Sequence, residues 1–520
     1  MSNMYQDILN ATDFQEKSIT FFGKSIGRKK LIYYIDNMAE FLSKLGVKDG
    51  DVIGIVSPNI PTSVIAFYAI NKLGAISNIF HPLTSAVPLI DKLKESGAKY
   101  VFVYDLFFTK YKKLLAENQI TPIICSAKDY LDKALKKLFA IYLNTKRGSA
   151  YNAYTEKEFT SEFPNMEREC GNDIACYLHS AGTEKEKTVV LTNRNFIELK
   201  EKMIGVIGRE NIAGEKTLAS LPMFHCFGLG IGVHASLALG FNISLLPVFN
   251  AEKALKAIRK QKLTIMIVIP SMLRKIMEVK EFGKYLVSVK HIYCGGDRLS
   301  EKLRLDFERE LNKYNPIKIL EGYGLTEMTG VCVVNTESEY RAGSIGKPLL
   351  GVDAKVLDDN GNESECGITG ELALSSSTLM RGYSDGSESY AVFGNRKYFK
   401  TGDMACMDSD GFIYYKERKK NVIKISGVNV FPKDIEDLVL TVGGIAECVA
   451  IEYRKGDKPF IGLFVIAEGE KEKIKNEIYK VIKANTMKYC LPEKIKFIKK
   501  LPLTKNGKID KQALKDIIQK

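Results

Sequence analysis

The alternation of helix-like and strand-like segments in the first hundred residues constrains the fold most strongly. Apolar residues recur at helical spacing over residues 34–45, and Gly46 supplies a stop. A β-branched run follows at residues 52–57, Pro61 opens a second helix, and residues 100–105 have the pattern of another buried strand. Strands separated by helices at this spacing predict a parallel sheet and an α/β fold.

The length of the chain requires more than one folded unit. At 520 residues it exceeds what one hydrophobic core usually supports, so we expect a multi-lobed body. After Asp410 the pattern changes to a strand-like stretch, a dense basic cluster and a helix start at Pro432. We therefore predict a large N-terminal body of parallel sheets over residues 1–419. A small mobile α+β domain is predicted over residues 420–520, with a linker near Lys420.

The charge pattern argues against nucleic acid as a partner. The formal net charge is +14 at pH 7, but the basic residues are dispersed beside acids and form no basic-aromatic module. Attraction for anionic cofactors or membrane surfaces suits this pattern better. The basic amphipathic stretch at residues 130–147 has two interpretations: a helix lying on the body, which we favour, or a weak peripheral membrane contact.

Cysteine and histidine usage bears on compartment and metal binding. The ten cysteines include no C-x-x-C pair, which favours a reducing, cytoplasmic environment. The five histidines show no spacing typical of transition-metal ligands. Residues 228–249 contain no Lys, Arg, Asp or Glu and are long enough for a membrane span. Their glycines and proline instead favour a buried helix followed by a buried strand.

Six short segments carry residue types suited to nucleotide chemistry. In chain order they are HSAGTEKEK (179–187), LPMFHCFGL (221–229), EGYGLTE (321–327), YFKTGD (398–403), ERKKNVIKISGVNVFP (417–432) and PLTKNGKID (502–510). Alone, each has an ordinary explanation, such as a turn acid or a solvated lysine. In this order and spacing, the chain resembles the adenylate-forming superfamily: acyl-CoA and aryl-CoA synthetases, luciferases and peptide-synthetase adenylation domains. The resemblance runs from about residue 34 to about residue 514.

The resemblance implies a reaction in two halves. A carboxylic acid attacks the α-phosphate of ATP to give an acyl-adenylate and pyrophosphate, and a thiol such as coenzyme A (CoA) then displaces AMP. Two anions must meet in the first half. Their repulsion at about 4 Å is about 4 kcal/mol at an effective dielectric of about 20, so cations and Mg²⁺ are required.

The resemblance also assigns residues to the nucleotide. Lys508 corresponds to the lysine that bridges the acid and the ribose-phosphate oxygens, Glu327 to the Mg²⁺-linked glutamate, and Thr326 to a hydroxyl that touches phosphate. Asp403 would accept hydrogen bonds from both ribose hydroxyls, and Arg418 would donate to ribose or phosphate. Tyr323 would stack on adenine, and Gly295, Gly296, Asp297 and Arg298 would line the adenine side. Gly322 and Gly324 are implied as further nucleotide-binding residues.

Further residues are implied for the thiol half-reaction and the acid. In the superfamily the C-terminal domain turns about a hinge after adenylation, and Lys420 occupies the hinge position, beside Asn421 where an acid is commoner. Gly427 would lie along the pantetheine tunnel, and Lys424 is a weaker candidate for the thioester-forming face. His225 matches a gating position at the mouth of the acyl pocket, although a lone histidine is more often a core residue.

The segment HSAGTEKEK departs from the superfamily's glycine-rich phosphate loop. The residues that remain to hold phosphate are Ser180, Gly182, Thr183 and Lys187. The later glycine and the proline are missing, and Glu184 and Glu186 stand in their neighbourhood. Each glutamate, when solvated, would oppose a nearby phosphate by about 1 kcal/mol. We therefore expect weakened ATP affinity with the chemistry intact.

The expected function is that of an ATP-dependent acyl-CoA synthetase. It would activate a fatty or aryl acid with ATP and Mg²⁺ and transfer the acyl group to CoA. Amino-acid-activating relatives carry an aspartate near residues 221–229, where this chain has none. One alternative acceptor is a separate acyl carrier protein. A second alternative is a non-catalytic nucleotide- or acyl-binding descendant, which the joint survival of Lys508, Glu327, Asp403 and Arg418 disfavours.

Overall fold

The chain forms two units, each built around its own sheets. The computed structural model describes residues 3–11, 17–131, 172–180, 186–387, 389–425, 428–456, 458–502 and 509–519. Unit 1 comprises Met1–Leu299, Asp306–Asp353 and Ser375–Ser389. Unit 2 comprises Ser300–Leu305, Ala354–Leu374 and Tyr390–Lys520. The mobile domain predicted for residues 420–520 falls within unit 2, and its boundary stays a prediction.

The first sheet of unit 1 confirms the parallel strands predicted from the N-terminal pattern. Its seven strands lie in the order Gly382–Tyr383, Lys187–Thr192, Ile174–Ser180, Ile76–Ile79, Val52–Val56, Tyr100–Tyr104 and Thr121–Cys125. The last five pair in parallel, and the first two add an antiparallel edge. The strands at Val52–Val56 and Tyr100–Tyr104 are those expected from the sequence.

The second sheet of unit 1 has nine strands. Their order is Lys347–Pro348, Gly330–Val334, Ile319–Leu325, His291–Cys294, Ile265–Val268, Lys216–Ala219, Asn242–Leu245, Lys17–Phe21 and Lys24–Gly27. The central pairings are parallel, and antiparallel pairings occur at both ends. Side chains such as Ile292, Ile319 and Val268 are almost wholly buried, as expected for parallel strands covered on both faces.

Helices accompany both sheets of unit 1. The α-helices are Met4–Leu9, Arg28–Lys44, Pro61–Lys72, Ala86–Glu95, Phe108–Glu117, Asn193–Ile207, Ser236–Ala238, Ala251–Gln261, Pro270–Met277 and Glu301–Leu311, the last shared with unit 2. Short 3₁₀ turns lie at Lys128–Tyr130, Arg209–Asn211, Phe282–Tyr285 and Thr326–Met328. Pro61–Lys72 is buried on nearly all sides, which explains why its apolar residues follow no single stripe.

The uncharged segment at residues 228–249 is a buried helix followed by a buried strand, as predicted. It begins within a π-helix at Phe227–Ala235, continues through Ser236–Ala238 and reaches the strand Asn242–Leu245. Among the described residues, none of the helices combines the length and apolar character that crossing a membrane requires. The amphipathic stretch at residues 130–147 lies outside the described residues from position 132 onward.

Unit 2 contains a five-stranded sheet and a smaller C-terminal assembly. In the larger sheet Asp353–Leu357, Gly370–Ser375, Arg396–Met407 and Tyr390–Phe393 are neighbours, and Ile413–Arg418 also pairs with Arg396–Met407. The C-terminal strands are Ile423–Ile425, Val428–Val430, Ile445–Lys455, Lys458–Ala467 and Lys494–Phe497. The helices are Pro432–Val439, Lys471–Asn485 and Lys511–Gln519, with 3₁₀ turns at Lys419–Asn421 and Lys488–Cys490. Ile474, Ile478 and Ile482 of the helix Lys471–Asn485 are buried in this core.

Candidate active site

The turn that carries Glu327 is fixed by its backbone. Thr326–Met328 forms a 3₁₀ turn directly after the strand Ile319–Leu325, and Thr329 follows in the left-handed region at φ 59°. The Thr329 hydroxyl donates to the carbonyl of Thr378 at 2.6 Å, and the amide of Met380 donates to the carbonyl of Glu327 at 2.8 Å. These hydrogen bonds hold Thr329 in its strained left-handed conformation. Such strain is common at functional sites, where the surrounding structure fixes the position of a side chain.

Tyr383 connects Glu327 to Lys187. Its hydroxyl donates to Oε1 of Glu327 at 2.8 Å, and Nζ of Lys187 lies 4.3 Å from the centre of its ring. Nζ of Lys187 also donates to the Ser387 hydroxyl at 3.0 Å. A carboxylate and an ammonium group are therefore held on opposite parts of one tyrosine side chain, by a charge-assisted hydrogen bond and a cation–π contact.

Glycines allow the strand ends beside this turn to approach closely. A Cβ atom on Gly324 would lie 1.9 Å from the carbonyl oxygen of Gly330, and one on Gly295 would lie 2.9 Å from that of Gly322. Gly296 has φ +81°, a conformation that other residues rarely adopt. Gly295 and Gly296, in the segment CGGDRLS (294–300), and Gly324, in EGYGLTE, are therefore required by the local backbone.

Glu321 joins those two segments. Its buried carboxylate accepts a hydrogen bond from the amide of Leu299 at 3.2 Å, and its carbonyl accepts one from the amide of Asn335 at 2.9 Å. Asp297 is exposed and accepts from the amide of Arg298 at 2.8 Å. The hydrogen bond from Leu299 to the Glu321 side chain therefore holds the turn at Asp297 beside the strand that leads to Tyr323.

The described ends of the segment HSAGTEKEK, residues 179–180 and 186–187, lie at the end of an antiparallel strand pair. Ser180 is opposite Lys187 and His179 is opposite Thr188. Glu186 forms an ion pair with Lys92, whose Nζ also donates to Nδ1 of His179 at 3.4 Å. Of the two glutamates expected to oppose phosphate, Glu186 is therefore already partnered by a lysine.

His179 is neutral in this setting. Burial, together with the charge of Lys92, lowers its pKa from 6.5 to about 3. Its Nε2 lies 2.8 Å from Oδ1 of Asn78, and its ring stacks on Phe80 with the centroids 4.7 Å apart. Nε2 therefore carries the proton and donates to Asn78, which leaves Nδ1 as an acceptor facing both the Thr188 hydroxyl at 3.2 Å and the Lys92 ammonium.

In unit 2, Asp403 and Arg418 form an ion pair between adjacent strands. The two residues are directly opposite in the ladder, and Nε of Arg418 lies 3.1 Å from Oδ1 of Asp403. The aspartate side chain is 2% exposed and the arginine side chain 48% exposed. The amide of Asp403 donates to the Thr401 hydroxyl at 3.1 Å, so the turn through Gly402 holds the carboxylate in place.

The predicted hinge follows directly and is tied to the same sheet. Nζ of Lys419 donates to Oε2 of Glu371 at 2.8 Å, and Nδ2 of Asn421 donates to Oε1 of Glu417 at 3.0 Å. Asn421, which replaces the commoner acid, therefore donates a hydrogen bond to Glu417. An ionised carboxylate at position 421 could not donate one. Lys420 is exposed, and Lys424 pairs loosely with Asp359 at 3.7 Å.

The comparisons with known proteins decide the family. The profile of the AMP-binding enzyme family matches residues 11–384, and that of the AMP-binding enzyme C-terminal domain matches residues 434–508. The chain belongs to the AMP-binding enzymes. The predicted membership of the adenylate-forming superfamily is therefore confirmed.

Curated relatives of this AMP-binding enzyme include several CoA ligases. The long-chain-fatty-acid–CoA ligase of Bacillus subtilis is 29% identical, over 97% of this chain and 92% of its own length. A 4-coumarate–CoA ligase-like protein of Arabidopsis thaliana is 28% identical, over 95% of this chain and 86% of its own.

Solved structures confirm the predicted fold class. ATP-bound MatB from Rhodopseudomonas palustris superposes with a TM-score of 0.82 at 20% identity, covering 99% of both chains. The anthranilate CoA ligase AuaEII, in complex with anthranoyl-AMP, gives a TM-score of 0.81 at 21% identity, covering 99% of this chain and 97% of its own. At these identities the likeness establishes the fold alone.

Some predicted site residues of this AMP-binding enzyme are in contact in the structure, and others lie outside the described residues. It joins Glu327 to Lys187 through Tyr383 and pairs Asp403 with Arg418. The side chain of His225 is exposed beside the ring of Phe224, with the centroids 4.6 Å apart. The predicted residues that lie outside the described ones are Gly182, Thr183, Glu184, Gly427 and Lys508.

Four contact residues were missed by sequence reasoning: Tyr383, Glu321, Lys92 and Glu371. Tyr383 stands 56 positions after Glu327, so no local spacing connects them. Lys92 lies in a surface helix pattern where lysine is unremarkable. The one signal in the sequence was the position of Glu321 directly after the apolar residues Ile319 and Leu320, because a carboxylate at the end of a buried strand needs a hydrogen-bond partner.

Among the described residues, no group of three or more His, Cys, Asp or Glu side chains could hold a metal ion by itself. Glu327 is partly exposed and presents carboxylate oxygens, the donor type that Mg²⁺ prefers. A magnesium ion at Glu327 would therefore take its other ligands from the nucleotide and water. That arrangement fits an ion that enters with its substrate.

Proposed function

We propose that this chain is an ATP-dependent acyl-CoA synthetase, an AMP-forming acid–thiol ligase. It would activate a fatty or aryl carboxylic acid as an acyl-adenylate and transfer the acyl group to CoA. The full-length alignment with CoA ligases supports this function, and the fatty-acid ligase of Bacillus subtilis supports the substrate class.

The observation that carries the proposal is the ion pair of Asp403 and Arg418. A carboxylate fixed at 2% exposure, beside a guanidinium that is half-exposed, offers an acceptor for two ribose hydroxyls and a mobile donor for phosphate. Arg418 compensates the buried charge of Asp403. The carboxylate keeps further hydrogen-bond acceptor capacity, which ribose hydroxyls would use.

In this proposal, residues of unit 1 bind the phosphates of ATP. Lys187 and Ser180 lie opposite each other at the end of the strand pair, and Lys187 is presented on the ring of Tyr383. Thr326 would touch phosphate, and Glu327 would hold Mg²⁺, which neutralises the developing charge on the phosphates. Tyr323 would stack on adenine, which Gly295, Gly296, Asp297 and Arg298 would line, and Gly322 and Gly324 are proposed as further nucleotide-binding residues.

The remaining assignments follow the superfamily. Lys508 would bridge the acid and the α-phosphate, and His225 would gate the acid. Lys420 would be the hinge, with Lys424 and Gly427 serving the thiol half-reaction. The nine described cysteines form no disulfide with one another, which suits the proposed cytoplasmic location.

The experiment that tests the function is a product analysis by mass spectrometry. The full chain is incubated with ATP, Mg²⁺ and a panel of fatty, aryl and amino acids, with either CoA or an acyl carrier protein as acceptor. We expect acyl-CoA from a fatty or aryl acid. Lys508→Ala should abolish it, and Lys505→Ala, three residues earlier, should not.

The other outcomes are equally informative. Acyl carrier protein loaded in preference to CoA would replace the proposed acceptor. No acyl product from any acid, in a preparation that still binds ATP, would favour the non-catalytic alternative.

A further inference from the structure

One ion pair at the end of the strand pair carrying Ser180 and Lys187 has no role in the function proposed above. It joins Lys92, on the helix Ala86–Glu95, to Glu186, the residue before Lys187. The lysine side chain is 19% exposed and the glutamate side chain 51% exposed. The fold therefore holds the lysine, whereas the glutamate is the partner that can turn into solvent.

Lys92 is positioned by neutral groups. Its Nζ donates to Nδ1 of His179 at 3.4 Å, and His179 is held by Asn78 and by stacking on Phe80. Because the imidazole of His179 is uncharged, the positive charge at this contact comes from the ammonium group of Lys92. His179 is one residue from Ser180, so the ammonium lies beside the end of the strand pair.

We propose that Lys92 is an additional binding residue for the phosphates of the nucleotide and that Glu186 is its internal competitor. The inference rests on the proposed function, because it requires polyphosphate at this end of the strand pair. When the polyphosphate binds, its oxygens replace the Glu186 carboxylate at the Lys92 ammonium, and the glutamate side chain turns into water. Glu186 therefore lowers ATP affinity by occupying Lys92.

Exchange at Lys92 can be distinguished from simple repulsion by Glu186. If the glutamate acted only through its electric field, its removal would strengthen binding whether or not Lys92 were present. If it acts by occupying the ammonium, its removal has no effect once the lysine is gone. A double-mutant cycle measures this difference directly.

The experiment measures dissociation constants by isothermal titration calorimetry, with Mg-ATP and with inorganic tripolyphosphate as titrants. The proteins are the wild type, Glu186→Gln, Lys92→Met, Lys92→Arg and the double variant Lys92→Met/Glu186→Gln. Lys94→Met and Glu95→Gln are the matched controls, because both residues are exposed on the same helix. Thermal melting verifies that each variant is folded.

We expect Glu186→Gln to bind both titrants about fivefold more tightly, the effect of one solvated charge contact. Lys92→Met should bind about fivefold or more weakly, the double variant should match Lys92→Met within about twofold, and the control variants should match the wild type. Lys92→Arg should retain the wild-type affinity, which separates loss of charge from disturbed packing.

Several results would overturn the inference. These are an unchanged affinity in Glu186→Gln, an equal gain in the Lys92→Met background, and a weakened Lys92→Arg. If tripolyphosphate follows the expected pattern while Mg-ATP does not bind, the anion site stands and the proposed function fails. If neither titrant binds the wild type or Glu186→Gln, both fail.

Discussion

Two ion pairs in this protein differ in which charge is the more buried, the anion in one and the cation in the other. In unit 2 the carboxylate of Asp403 is 2% exposed and its partner Arg418 is 48% exposed. In unit 1 the cation, Lys92, is 19% exposed, and its partner Glu186 is 51% exposed. In each pair the fold fixes one charge and leaves the other within reach of solvent.

This difference indicates which kind of ligand group each site can accept. A ligand can replace the exposed partner more easily than the buried one, because the buried partner is held by other bonds. Asp403, held by Thr401 and by the strand ladder, is suited to hydrogen-bond donors such as ribose hydroxyls. Lys92, held by His179, is suited to acceptors such as phosphate oxygens.

The largest effect is expected at the buried carboxylate of Asp403. Asp403→Asn should lower kcat/KM for ATP about 100-fold, since two hydrogen bonds to a charged acceptor are worth about 3 kcal/mol together. Steady-state kinetics at varied ATP provides the measurement. Asp410→Asn, at an exposed position in the same sheet's turn, is the control and should be silent. If Asp403→Asn lowers kcat/KM less than threefold, Asp403 is not an acceptor for the ribose hydroxyls.

The next effect concerns the histidine that holds Lys92. Because the folded pKa of His179, about 3, lies below the ordinary 6.5, the folded protein binds fewer protons than the unfolded chain between these values. The free energy of unfolding should therefore fall as the pH drops, by about 2 kcal/mol at about pH 5 relative to pH 7. Urea unfolding of the wild type and of His179→Gln should show this difference between the two proteins. Parallel pH dependences would mean that His179 is not held neutral.

A smaller effect is expected at Tyr383, which gives Glu327 a neutral partner. Tyr383→Phe keeps the ring under Lys187 but removes the hydroxyl donor to Glu327. The loss of one hydrogen bond to a carboxylate should lower kcat about tenfold and raise the Mg²⁺ concentration needed for half-maximal activity. Magnesium titrations of activity test this, with Tyr33→Phe on an exposed helix face as the control. An unchanged magnesium requirement would show that Tyr383 does not position Glu327.

The sequence predicted those parts of the fold that local patterns determine. The strands at Val52–Val56 and Tyr100–Tyr104, and the buried helix and strand within residues 228–249, follow from the apolar spacing of a few neighbouring residues. The family segments also identified Glu327, Asp403 and Arg418 as candidates. Their pairing across strands, as between Asp403 and Arg418, required the register of the ladder.

The contacts that the sequence could not predict join residues far apart in the chain. Lys187 meets Ser387 across 200 positions, and Lys92 meets His179 across 87. The sequence identified Lys187 as a candidate phosphate ligand but not its partner, and Lys92 has the appearance of a solvated surface residue, because each partner belongs to a different element. Glu186 was therefore expected to oppose phosphate from solvent, whereas the structure shows it paired with Lys92.

The central claim, that this AMP-binding enzyme forms an acyl-adenylate, is tested most directly by isotope exchange between ATP and pyrophosphate without any thiol. Labelled pyrophosphate is incubated with ATP, Mg²⁺, the full chain and each acid of the panel. We predict exchange that requires a fatty or aryl acid and is lost in Lys508→Ala but kept in Lys505→Ala. The absence of exchange with every acid, from protein that binds Mg-ATP, would contradict the claim.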